Sequence, residues 1–146
     1  MPVYAGIDYS LTCPAVCVYN TDTGPLSFEN TSVFFRSNLA RFKAFRDGNL
    51  EGCNHGPWKD DIDRYDDISS WAIGILKHFK VGQVYLEGYS FGSTGRVFNI
   101  AENTAILKYN LWAKLTPRST NVISPLNDIV DAYYILKYGI YNEKKK

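Results

Sequence analysis

The chain has 146 residues, 45% of them hydrophobic and 21% charged, with three Trp, eleven Tyr and eight Phe. That fits one folded domain able to bury a core without crosslinks, and it is too short for two. Sixteen Lys and Arg against fifteen Asp and Glu leave a formal charge of +1, so the whole-molecule charge does not announce a polyanionic partner and only local clustering can.

Cys13, Cys17 and Cys53 form neither a paired framework nor a zinc pattern, and Cys53 with His55 supplies too few ligands for a zinc ion. Reduced, intracellular thiols are expected. No basic region followed by an apolar run opens the sequence, and no stretch approaches the roughly 18 apolar residues of a membrane span. The expectation is a cytoplasmic protein with no membrane partner.

Val3 to Asp8 reads as a short apolar strand ending in a carboxylate, and Ala15 to Tyr19 as a second, joined through a tight turn containing Pro14. After the Asp22, Thr23, Gly24, Pro25 turn, Leu26 to Phe35 reads as a third strand, completing an antiparallel meander. Residues 36 to 62 show no clear period and hold Gly48, Gly52, Gly56 and Pro57, which predicts a long loop with one helical turn. Tyr65, Ile68, Trp71, Ala72, Ile75, Leu76 and Phe79 then recur at three and four, an amphipathic helix from about Ile62. Val81 to Glu87 is a strand that again ends in a carboxylate, and a glycine and serine segment leads to a second helix through Val97, Ile100, Leu111 and Trp112. The last helix is expected from Ser124 and Pro125, a cap followed by proline, to about Tyr141. The sum is an α/β fold, a mixed sheet of three antiparallel strands plus a parallel strand flanked by helices, whose strand ends are where a site would form.

Four acids stand out by position. Asp8 and Glu87 end two strands, and Asp128 and Asp131 sit three apart, on neighbouring turns of the last helix. Two carboxylates beside an apolar helical stripe repel each other, by about 0.2 to 0.5 kcal/mol even when exposed. A divalent cation offsets that repulsion, and all-oxygen ligands suit Mg²⁺ or Mn²⁺. Two such ions about 3.5 to 4 Å apart are the arrangement that clamps the attacking and leaving oxygens of a phosphodiester. Taken singly, each acid has an ordinary structural explanation, Asp8 as a turn residue and the helical pair as partners of the helix dipole. The joint pattern is what points to a metal site.

Gly6, Ile7, Asp8, Tyr9, Ser10, Leu11, Thr12 resembles the opening strand of RuvC-type resolvases in the ribonuclease H-like superfamily. Tyr85, Leu86, Glu87, Gly88, Tyr89, Ser90, Phe91 is similar to that family's fourth strand, with its acid and an aromatic-bearing loop. Asn127, Asp128, Ile129, Val130, Asp131, Ala132, Tyr133, Tyr134 is similar to its closing helix. The resemblance implies a magnesium-dependent endonuclease that cleaves four-way or related branched DNA, working as a homodimer in a bacterial or phage-type setting. Asp8, Glu87, Asp128 and Asp131 would be its catalytic, metal-holding acids. Members of the family carry a further strand and helix before the acidic helix, where this chain has only Leu115 to Ile123, so no catalytic lysine is assigned.

Contacts to DNA are expected at Arg36, Arg41, Lys43 and Arg46, an eleven-residue stretch without an acid, interleaved with Phe35, Phe42 and Phe45. The bland alternative is a solvated loop whose phenylalanines cover the core. Ser93 and Arg96 lead into a helix N-terminus suited to phosphate, and Tyr89 and Phe91 are placed to stack on bases. Flaps, forks and RNA–DNA hybrids are the alternative substrates, and a catalytically inactive nucleic-acid-binding module is a further reading. The Gly6 to Thr12 opening also resembles the phosphate loop of actin-like kinases and ATPases. Those need a second domain closing over the nucleotide and leave the helical acid pair unexplained.

Overall fold

The computed structural model describes residues 2–87, 97–114, 120–123 and 129–144. Its strands are β1 (Val3–Asp8), β2 (Ala15–Asn20), β3 (Thr31–Ser37), β4 (Ala44–Asp47), β5 (Leu50–Asn54), β6 (Gln83–Glu87) and β7 (Thr120–Ile123). The helices are α1 (Asp61–His78), α2 (Val97–Lys114) and α3 (Ile129–Glu143). All seven strands share one mixed sheet in the order β4-β5-β3-β2-β1-β6-β7. β1, β2 and β3 form the expected antiparallel meander, and β6 adds to β1 in parallel.

Period-two alternation divides the apolar residues between two cores. On one face Ala5, Ile7, Val16, Val18, Val84 and Leu86 pack under Ile68, Ala72 and Leu76 of α1 and Leu107 and Leu111 of α2. On the other, Ala15, Cys17, Val33, Phe35 and Tyr85 pack under Ala132, Ile135, Leu136 and Ile140 of α3. Burial there pushes the Cys17 thiol up to about 12, which keeps it protonated and inert.

Helix α1 starts where the Asp60 carboxylate accepts the Asp63 N–H at 2.8 Å. Asp61 and Asp63 in its first turn and Lys77 and His78 in its last complement the helix dipole. Short helices are marginal in water without tertiary packing, and α3 obtains it by lying directly on β1. A Cβ on Gly6 would collide with the backbone carbonyl of Ala132 and the backbone N–H of Leu136.

Three expectations are corrected. The third strand begins at Thr31, because residues 28–30 form a 3-10 turn in which the Phe28 carbonyl accepts from Thr31 Oγ1 at 2.6 Å and Asn49 Nδ2 at 2.7 Å. Leu26 and Phe28 join the core as side chains without joining the sheet. The predicted long loop holds a 3-10 turn at residues 40–42 and the β4–β5 hairpin, whose turn places Gly48 at φ 55°. Gly52, taken as a breaker, is a strand residue lying under the Phe35 ring. Finally, the 115–123 connection contains a strand, β7, parallel to β6. The cap expected at Ser124 and Pro125 lies outside the described residues.

Replacing Gly6 with Ala forces backbone rather than a flexible side chain to give way. The expected loss is about 3 kcal/mol, the upper end for an overpacked core, read as a lower urea midpoint with an unchanged slope. A midpoint equal to that of the native protein would contradict the close helix–strand contact.

Candidate functional site

Asp8 closes β1, an interior strand, and is 3% exposed. Alternation with Gly6 turns it toward the α3 face of the sheet. Ile7 pairs with Leu86 in the parallel β1–β6 ladder. One residue further, the backbones of Asp8 and Glu87 therefore lie level on adjacent strands, about 4.8 Å apart. Asp131 is the third residue of α3 and precedes Ala132, whose carbonyl meets Gly6. Segments carrying three of the four predicted acids thus approach one another at one end of the sheet. Asp128 lies outside the described residues, as do Tyr89, Phe91, Ser93 and Arg96. Among the described residues no group of three or more His, Cys, Asp or Glu side chains is placed to hold a metal ion, and Asp8 is the only one of the four acids whose side chain belongs to that set.

The basic stretch divides. Arg41, Lys43 and Arg46 are exposed, and Arg46 forms a surface ion pair with Glu51 at 3.0 Å. Arg36 is corrected: its side chain is 14% exposed, its Nη1 donates to Asp67 at 2.6 Å, and its guanidinium lies over the Trp71 ring. That charge is engaged inside the protein and does not face solvent as a phosphate contact. Phe42 and Phe45 pack edge-on to each other, with ring centres 5.2 Å apart, and both pack on Phe35. These phenylalanines cover the core, as the bland alternative held.

A polar and aromatic strap grips the connection that follows Asp8, and the sequence pattern did not reveal it. His55 Nε2 donates to the Thr12 carbonyl at 3.0 Å, and Arg64 donates to the Leu11 carbonyl. Trp58 lies between them, its ring 4.8 Å from His55 and 5.0 Å from the Arg64 guanidinium. Its indole N–H donates to Asp67 at 2.9 Å, joining the strap to Arg36. Within the turn, Ser10 Oγ accepts the Cys13 N–H at 2.9 Å. Burial lowers the His55 pKa, with the neighbouring Arg36 and Arg64 charges adding to the effect, so the ring is neutral at pH 7. The available signal was a run of hydrogen-bonding and aromatic residues, His55 to Arg64, in a segment read as loop.

Burial alone would raise the Asp67 pKa, but the Trp58 and Arg36 hydrogen bonds outweigh it and hold the carboxyl below its usual range. A depressed folded pKa gives stability that is complete above the ordinary carboxylate value and lost as pH falls through the folded one. Asp67→Asn is therefore expected to lower the melting temperature most at neutral pH, with the difference from the native protein shrinking on acidification. Melting curves across a pH series test this, and a difference that grows at acid pH would contradict it.

No protein-family profile matches the sequence, and no curated protein matches it. Solved structures do. The structure of Thermus thermophilus RuvC matches with a TM-score of 0.54 at 13% identity, over 84% of this chain and 64% of that one. T. thermophilus RuvC in complex with a Holliday junction substrate matches with a TM-score of 0.65, also at 13% identity, over 99% of this chain and 96% of that one. The chain therefore spans less than two thirds of the first structure and nearly all of the second. At such identity the likeness defines architecture, and the architecture of this chain is the RuvC-like form of the ribonuclease H fold.

Proposed function

We propose that the chain is a divalent-metal-dependent endonuclease acting on four-way or related branched DNA, with Asp8, Glu87, Asp128 and Asp131 as its metal-holding acids. The observation that carries this reading is the end of β1. A buried carboxylate, Asp8, stands level with the end of β6 and on the face covered by α3, in a fold shared with a protein solved on a Holliday junction.

The donor set fits hard cations. Four carboxylates with no thiolate or imidazole among them suit Mg²⁺ or Mn²⁺ over zinc or copper. Two such ions, when bound, supply an acidified water and electrostatic stabilisation of the leaving oxygen. The protein's part is to hold the acids in register and to keep the phosphate in line. Cleavage leaving a 5′-phosphate follows from the family resemblance.

The substrate path in this reading runs from the acids toward the far edge of the sheet. Arg41 and Lys43 follow β3 at the same sheet end as Asp8, since Asp8 pairs with Ala15 and Ala15 with Phe35. Three strands separate β1 from β4, a span of about 20 Å, which is the width of a duplex arm. Arg41, Lys43 and Arg46, with Tyr89, Phe91, Ser93 and Arg96, form the proposed DNA contacts. Symmetric cleavage of a four-way junction needs two sites, which makes a homodimer the working assembly.

Asp8→Asn removes one ligand charge and is expected to slow junction cleavage about a thousandfold or more, the equivalent of several kcal/mol of transition-state stabilisation. Chelation should abolish cleavage by the native protein, and added Mg²⁺ or Mn²⁺ should restore it. Gel assays on synthetic junctions, flaps, forks and hybrids test both statements and rank the substrates. Equal cleavage by the native protein and Asp8→Asn would end the proposal. Replacing both Arg41 and Lys43 with Ala should weaken junction binding and flatten its salt dependence by about two in log–log slope.

A further inference from the structure

The sheet face opposite Asp8 carries a second feature that the acid cluster does not use. Between α1 and the outer strands lies an open groove of about 520 Å³. It is aromatic for reasons of register. Phe34 alternates with Val33 and Phe35, so it faces α1, where it meets Phe79 with ring centres 5.5 Å apart. Trp71, carrying Arg36 over its ring, lines the groove from the helix. At Gly74 an added Cβ would meet nothing within 4 Å, so the space is open at the helix surface.

The lining holds one ion pair, and two further cations stand beside it. Arg46 and His78 line the groove, and exposed Lys77 and Lys80 flank His78. The single acid lining it, Glu51, is paired with Arg46. Aromatic faces bordered by cations suit a flat, π-rich group attached to an anion, and a nucleobase with its phosphate is that combination. Glu51 adds an acceptor of the kind that binds the exocyclic amine of cytosine.

We propose that this groove is an accessory, non-catalytic site for an unpaired nucleobase in a single-stranded stretch of DNA. Trp71, Phe34 and Phe79 supply the stacking surface, and Arg46 supplies the phosphate contact. The nature of the ligand rests on the nucleic-acid reading above, but the site requires neither the acids nor a metal ion. It lies on the α1 face, whereas Asp8 turns toward α3, so a strand held here is not positioned for cleavage at Asp8.

Gly74 provides the test, because a larger side chain there fills the groove and improves helix propensity. The probe is a fluorescent oligodeoxycytidylate of about eight nucleotides, titrated by anisotropy in chelator, with an abasic strand of equal length as control. The native protein and Gly74→Ala are expected to bind it similarly and to bind the abasic strand at least about tenfold more weakly. Gly74→Leu should lose about tenfold in affinity with an unchanged or higher melting temperature. Equal binding by Gly74→Leu and the native protein, or equal binding of the abasic strand, would overturn the groove assignment. Either result is compatible with Mg²⁺-dependent junction cleavage that Asp8→Asn abolishes. Conversely, binding that Gly74→Leu disrupts in a protein unable to cut any branched substrate would retain the groove and remove the nuclease.

Discussion

The contact between α3 and β1 is the constraint on which the rest of the molecule depends. A helix ordinarily rides over a sheet at the distance its side chains impose. Here the missing side chain at Gly6 lets the backbone of Ala132 and Leu136 reach β1. Ile135 and Leu136, both fully buried, then fix the helix in rotation, at about 1.5 to 3 kcal/mol each for the surface they remove from water. With rotation and depth fixed together, Asp131 has one place relative to the end of β1. A looser helix would leave the separation between the start of α3 and the end of β1 undefined.

A different set of forces governs the opposite face. There α1 is tied to the sheet through Arg36, Asp67, Trp58 and Arg64 as well as through apolar packing. The Arg36–Asp67 pair is partly shielded, at 14% and 38% exposure, so desolvation offsets much of its attraction. Its directional bonds matter more than its net energy. They orient the Trp58 ring that separates His55 from Arg64, and those two side chains hold the carbonyls of the turn leaving Asp8. The Asp8 end of β1 is thereby fixed by α3 on one face and by the strap on the other.

Much of this was legible in the sequence, for identifiable reasons. β1, β2, β6 and the three helices announced themselves by period and by their bounding residues. That Asp8 and Glu87 end their strands was legible because each closes a short apolar run. The region from Arg36 to Trp58 was misread because its glycines serve packing and turn geometry inside a hairpin, which a pattern of breakers cannot distinguish from a loop. Arg36 was misassigned for a related reason: its partner, Asp67, is 31 positions away, and one-dimensional charge clustering does not register a partner on another element. β7 is only four residues long, too short to display a period. Asp128 and the aromatic and basic residues from Tyr89 to Arg96 lie outside the described residues.

The strand order has a kinetic corollary. Tyr4 pairs with Gln83, 79 positions along the chain, and α1 must pass across β3, β2 and β1 to deliver β6 to that edge. Closing so wide an excursion adds entropy only logarithmically with length, but that cost precedes any reward from the pairing. The meander can assemble from neighbouring segments, while β1 gains its second flank only after the crossover is complete. The Asp8 end of the sheet is thus among the last regions to acquire its final shape, and during synthesis it cannot form until β6 has emerged.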